Sequence, residues 1–323
     1  MTNPVDRVLD RVDAFQRAHP WAAFLVGVSK KFGDDRAGDL AALVAYYAFF
    51  SLFPLLLVLV TVLGLLLSGN PELRARVLDS ALAQFPVLGD ELEANVGSLD
   101  GSGVALTIGL LGALWAGMGA MQAAQQAMNA VWDVPLRDRP SFVGKRVRAL
   151  GMLAVLGGGV VSTTLVANLP TIAGTPQPVL RLVSLVATAI VNTGIFVLAF
   201  KVLTDQHLGW REVLPGAVVA GIGWTALQLL GGHLVSRRVT GASETYGAFA
   251  VVLGLLSWLY LQAQLTLVGA ELNVVLRRHL WPRSLTGRRL TEADERALAG
   301  YAKVQERFPS QQVHVHLDRE VSA

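Results

Sequence analysis

Three stretches of 32 consecutive residues, 40–71, 101–132 and 149–180, contain no Asp, Glu, Lys or Arg, and shorter ones follow at 182–200, 213–236 and 245–270. A helix of about 20 apolar residues crosses the hydrocarbon core of a bilayer. Each stretch therefore spans once, and none comfortably spans twice. The fold class this predicts is all-α: a polytopic membrane protein with about six transmembrane helices and flanking amphipathic helices. The spans are expected at about 40–67, 104–131, 149–172, 182–200, 213–235 and 245–270. Only 16% of the residues are charged, against about 25% in soluble domains, so the solvent of this chain is lipid.

Basic residues set the orientation. An even number of spans puts both ends on one side. That side holds 22 of the 27 Lys and Arg: six before the first span, five after the second, two after the fourth and nine in the tail. Because Lys and Arg accumulate on the cytoplasmic side, both termini are expected there. The organisation is then a cytoplasmic amphipathic segment 1–39, a six-span membrane domain 40–280 and a cytoplasmic tail 281–323. The first 39 residues carry six basic and six acidic side chains and no apolar run, so a cleavable signal peptide is not expected. The absence of cysteine excludes disulfides, thiolate zinc sites and Cys nucleophiles.

Val5, Val8, Leu9, Val12 and Phe15 recur at helical spacing, and Trp21, Phe24, Leu25 and Val28 continue the pattern. Such helices lie in the membrane interface or pack on the protein's own loops, and periodicity does not separate the two. Between Glu72 and Asp100 the pattern breaks at Pro86 and Gly89, which predicts a helical hairpin on the outer face. Thr291-Glu-Ala-Asp predicts a helix N-terminus running to about Phe308. His314 and His316 alternate beyond it, but two His without a third ligand do not make a metal site.

No charged residue sits at the middle of a span, which disfavours a carboxylate-driven antiporter. Uncharged polar residues are instead concentrated in the cytoplasmic halves. Tyr47, Ser51 and Pro54 share a face of span one, and Gln122, Gln126 and Asn129 share one of span two, beside Gln125. In span six, Gln262, Thr266 and Asn273 share a face, with Tyr260, Gln264 and Glu271 next to it. Lipid cannot satisfy amides. Two readings follow: a polar cavity lined by spans one, two and six and open to the cytoplasm, or amides that cement helix contacts. Small residues at Ala113 and Gly117, Ala217 and Gly221, and Gly157-Gly158-Gly159 predict close helix packing.

Three segments carry a family resemblance: Ala45-Tyr46-Tyr47-Ala48-Phe49-Phe50-Ser51-Leu52-Phe53-Pro54; Ala113-Leu114-Trp115 through Gln122 to Asn129-Ala130-Val131-Trp132 and Arg139-Pro140; and Thr245-Tyr246-Gly247-Ala248 with Trp258-Leu259-Tyr260-Leu261 and Gly269-Ala270-Glu271-Leu272-Asn273. In order and spacing they resemble the YihY/BrkB family of bacterial inner-membrane proteins, over about residues 25 to 280. The resemblance implies six spans in the bacterial inner membrane. It implies no catalytic residues, and the ribonuclease label carried by members of this family is widely regarded as a misassignment.

A nuclease needs a metal-holding or acid–base cluster beside a basic groove. The loop with Arg137, Arg139, Lys145, Arg146 and Arg148 has no such cluster, and the positive-inside rule explains its charge. No P-loop occurs in the chain. The sequence is therefore read as a non-enzyme with no cofactor, no metal and no nucleic-acid partner. The functional reading is a transporter or flippase of a lipid or amphipathic solute, in contact with membrane lipids and with a homo-oligomer left open. The alternative is a non-transporting scaffold for envelope proteins.

Overall fold

The computed structural model describes residues 4–66, 103–167, 178–246, 248–287 and 290–316. The chain is all-helical there: α1 Pro4–Ala18, α2 Pro20–Asp34, α3 Ala37–Leu66, α4 Gly103–Val131, α5 Phe142–Ala167, α6 Pro178–Leu203, α7 Trp210–Tyr246, α8 Ala248–Arg278 and α9 Glu292–Lys303, with one 3-10 turn at Leu136–Asp138. Helices α3 to α8 have 26 to 37 residues each, one for every charge-free stretch. Among the described residues, Leu182–Leu203, Trp210–Gly231 and Val252–Arg278 are long and apolar enough to cross a membrane, and Ala37–Leu52 is a shorter apolar helix. The chain is a polytopic membrane protein. The hairpin expected within 72–100 lies outside the described residues.

In the bundle α4 packs on α3, α7 packs between α6 and α8, α5 packs on α6, and α8 closes against α3. Its buried centre includes Met128, Trp132, Met152, Phe200, Leu267 and Val274. Small residues set the closest approaches. A Cβ on Gly216 of α7 would fall 1.9 Å from the Gly269 carbonyl oxygen of α8, and one on Gly221 would fall 2.8 Å from the Thr193 backbone nitrogen of α6. Of the glycine triplet in α5, only Gly159 meets a neighbour, with Ile195 Cδ1 2.5 Å from its Cβ position; nothing lies within 4 Å of the Gly157 or Gly158 positions. Asn192, the polar residue midway along α6, donates to Thr225 Oγ1 of α7 at 3.0 Å.

Helices α1 and α2 form a hairpin whose amphipathicity points outward. The polar side of α1 holds the chain after α8: Gln16 Nε2 donates to the Arg283 carbonyl at 2.6 Å, and the Leu285 amide donates to Asp13 Oδ1 at 3.2 Å. Val8, Val12 and Phe15 are exposed, as are Trp21 and Leu25 of α2. These apolar side chains turn away from the chain segment that Asp13 and Gln16 hold.

Helix α9 starts where expected. Thr291 Oγ1 accepts from the Asp294 amide while Asp294 Oδ2 accepts from the Thr291 amide, a reciprocal capping box. The helix ends at Lys303 rather than near Phe308 because the following carbonyls are used elsewhere: Val304 O accepts from the Leu136 amide at 3.2 Å and Glu306 O from the Arg137 amide at 3.0 Å. The tail is thereby tied to the α4–α5 loop. His314 and His316, beyond this contact, are exposed.

Burial pushes the Asp294 carboxyl up, but bonds from Arg283, Thr291 and Ser284 outweigh it and hold it at about 2, below the ordinary 3.8. A depressed acid stabilises the fold above its unfolded value and loses that contribution as pH falls through the folded one. The docking of α9 is therefore secure above about pH 4 and lost progressively towards pH 2. Thr291→Ala removes one side of the box at a cost of about 1 kcal/mol. The expected result is about fivefold faster amide exchange in α9, with α8 unchanged.

Candidate functional site

The polar residues singled out in the sequence do not gather on one surface. The structure distributes them among a buried ionic joint, a helix–loop clamp, a helix–helix clamp, an apolar groove and an exposed stripe.

The joint forms where α2, the α2–α3 turn, the end of α4, the end of α8 and α9 meet. Lys31 is fully buried. Its ammonium donates to the Val131 carbonyl at 3.0 Å and to Asp35, lies 3.6 Å from Asp133 Oδ1 and 3.8 Å from Glu271 Oε2, and sits 5.2 Å from the centre of the Tyr301 ring. Arg278 pairs with Asp133 and donates to the Trp132 carbonyl at 2.6 Å. Asp133 follows α4 in the left-handed region, φ 49°, which Asp tolerates better than most residues. Burial works against the charge on Lys31, but Glu271, Asp133 and Asp35 outweigh it and raise its pKa, so the ammonium stays protonated. Burial pushes the Asp35 carboxyl up to about 6 against the pull of Lys31. A raised acid contributes stability below its unfolded value that is lost as pH rises through the folded one, here between about pH 4 and 6.

The clamps employ the two asparagines. Asn129 Nδ2 donates to Asp205 Oδ2 at 2.6 Å and its Oδ1 accepts from the Asp205 amide at 2.8 Å; Arg148 pairs with the same carboxylate. Asn273 Oδ1 accepts from the Gly216 amide at 2.7 Å, and its Nδ2 donates to the Val213 carbonyl at 3.1 Å. These bonds straddle Pro215, which has no N–H to give to the first turns of α7.

The groove lies between α7 and α8, with a volume of about 520 Å³. Phe32, Leu227, Leu230, Leu261 and Leu265 line it, and Gln264 is its polar member. Nearby in sequence, Gln262 is buried with Nε2 unpartnered among the described residues, and Tyr260 is half-buried, its hydroxyl facing Gly38.

The stripe is on α4. Trp115, Gly119, Gln122 and Gln126 recur at helical spacing and so share one side of the helix. Gln122, Gln126 and Trp115 are exposed, Trp115 to 71%. Tyr47 of α3, also exposed, reaches within 3.3 Å of a Cβ position on Gly119. Beside them the Arg146 guanidinium stacks 3.9 Å from the Phe142 ring centre and 5.9 Å from that of Trp115, and its buried Nε has no partner among the described residues. Gln125, between the two exposed amides, instead points inward and donates to the Lys145 carbonyl at 3.1 Å. Ser51 is buried and donates to the Ala48 carbonyl at 2.9 Å. Helix α3 continues through position 54, but the side chain of Pro54 lies outside the described residues.

Glu271 belongs to the joint and Asn273 to a clamp, whereas Tyr47, Gln122 and Gln126 come together on the stripe. Lys31, Asp35, Asp133, Arg278, Asp205 and Arg146 were not singled out as site residues. The available signal was local: Lys31 and Asp35 stand four apart, and Glu271 and Arg278 seven apart, which puts each pair on one helical face. Among the described residues no group of three or more His, Cys, Asp and Glu is placed to hold a metal ion.

Comparison with known proteins gives one family and several distant relatives. The family model described as Virulence factor BrkB matches residues 28–292. YfkH of Bacillus subtilis strain 168, named as a ribonuclease-like protein, is 27% identical over 273 residues, covering 79% of this chain and 96% of that protein. The inner membrane protein YhjD of Escherichia coli K12 is 24% identical, covering 83% and 84%. A UPF0761 membrane protein of Halorhodospira halophila is 25% identical, covering 79% of this chain and 59% of its own. No solved structure matches the chain.

Proposed function

The chain belongs to the BrkB virulence-factor family of membrane proteins, and we propose that it moves a lipid or another amphipathic solute in the bacterial inner membrane, with both termini in the cytoplasm. The observation that carries this reading is the exposed pair Gln122 and Gln126 on a helix whose other polar side chains are Thr107, Gln125 and Asn129. Amides turned to hydrocarbon are unsatisfied, at a cost of several kcal/mol. A solute headgroup passing along α4 supplies the missing partners, Tyr47 and Trp115 flank its path, and the positive charge of Arg146, stacked beside Trp115, suits a phosphate or carboxylate. Separately, the apolar α7–α8 groove is large enough to take an acyl segment.

The family likeness supports a membrane protein; the transport step rests on the stripe. Fluorescent phospholipid in proteoliposomes tests it. Wild-type protein is expected to move the probe faster than empty liposomes, and Gln122→Leu with Gln126→Leu to slow that movement about tenfold, the effect of losing about 1.4 kcal/mol of hydrogen bonding to the moving headgroup. Wild-type rates equal to those of empty liposomes favour the alternative, a scaffold that holds envelope proteins through its tails and external loop.

A further inference from the structure

We propose that Asp35 and Glu271 share a single proton, making the joint between the α1–α2 hairpin and the bundle a proton-binding site. The proposal does not depend on lipid movement. It rests on charge, burial and geometry.

Every element packed at the joint contributes a group. Helix α2 brings Lys31, the α2–α3 turn Asp35, the end of α4 Asp133, α8 Glu271 and Arg278, and α9 the ring of Tyr301. With every group ionised, three carboxylates face two cations. The surplus negative charge falls where Lys31 and Glu271 are wholly buried and the Asp35 and Asp133 side chains nearly so. An uncompensated charge in such a place costs several kcal/mol. One proton makes the cluster neutral.

Geometry says where the proton sits. Asp133 is already held by Arg278. Glu271 is fully buried, neither of its oxygens has a hydrogen-bond partner among the described residues, and its carboxyl converges with that of Asp35 on the one Lys31 ammonium. Two carboxylates are acceptors only and cannot bond to one another. A proton on either carboxyl allows an O–H···O bond between the two, gives one of the orphaned Glu271 oxygens a partner and removes the repulsion in one step, as carboxyl pairs at short range do. A metal ion is the competing neutraliser, but the acidic groups here are not placed as a metal-ligand set.

The site sits on a seam. Helix α2 meets the end of α8 so closely that a Cβ on Gly27 would fall 2.7 Å from the Leu280 carbonyl oxygen, and Asp35 and Glu271 stand on opposite sides of that seam. Releasing the proton leaves both carboxylates charged and repelling across it, with the proton passing to water. Proton occupancy therefore sets how tightly the hairpin is held.

Infrared difference spectroscopy of the full chain in lipid nanodiscs, at about pH 6, tests the assignment. The wild type is expected to show the C=O stretch of a protonated carboxylic acid, and Asp35→Asn and Glu271→Gln each to remove it. Each variant leaves two carboxylates for two cations, so no proton is needed. Asp39→Asn, an exposed acid, leaves the band unchanged. If one amide variant is not recovered folded, the other decides alone. A wild type without the band, or a band that survives either substitution, overturns the proposal. Lipid transport can fail in proteoliposomes while this band is present, so the two readings stand or fall separately.

Discussion

Lys31→Met is expected to destabilise the protein by about 3–5 kcal/mol, because Arg278 neutralises Asp133 while the remaining negative charge of the Asp35–Glu271 pair stays buried without its cation. Methionine nearly matches the length and volume of the lysine stem, so the loss is electrostatic rather than a cavity. At about 2–4 °C per kcal/mol for a chain of this size, the melting temperature in detergent should fall by about 10 °C. The sign of a second change identifies the cause. Adding both Asp35→Asn and Glu271→Gln to Lys31→Met removes the stranded charge and should restore part of the loss, whereas unrelated packing defects would add. A Lys31→Met protein that melts within about 1 °C of the wild type would mean that the joint carries no net charge energy.

The second large effect is at the α7–α8 crossing. Gly216→Val places a Cβ 1.9 Å from the Gly269 carbonyl oxygen and 2.6 Å from Asn273 Nδ2. The first obstacle is backbone and cannot rotate away. The second is the side chain that clamps the Gly216 amide and the Val213 carbonyl, so widening the crossing also breaks two buried hydrogen bonds. Overpacking alone costs about 1–3 kcal/mol, and two lost bonds add about 1 kcal/mol each. Gly216→Val is accordingly expected to give little monodisperse protein on size-exclusion chromatography. Gly158→Val, with nothing within 4 Å of its Cβ position, should elute like the wild type.

The helices were legible in the sequence because a charge in hydrocarbon is costly, so six interruptions of charge mark six helices. Their ends were less so. Helix α5 begins at Phe142 rather than near 149, since Lys145, Arg146 and Arg148 lie in its first turns, where the Arg146 guanidinium stacks on aromatic rings and Arg148 pairs with Asp205. A criterion based on absent charge cannot see such a start. The site divides similarly. Shared faces on single helices were visible, including the one with Gln122 and Gln126. The destinations of Asn129, Asn273 and Glu271 were not, because Asp205, Gly216, Lys31 and Asp35 come from other elements far away in the chain. Glu271 stands out as an acid at the end of a span, but only the fold brings a lysine and two aspartates to it.

The reading of α4 as a headgroup path makes a direct demand on what touches Gln122 and Gln126. A photoreactive amino acid placed at either position in native membranes should capture phospholipid through its polar headgroup, detected by mass spectrometry of the cross-linked peptide. The same probe at Leu198, an exposed apolar position on α6, should capture acyl chains instead. Cross-links from 122 and 126 to a second copy of the chain, or to acyl chains alone, would contradict the account.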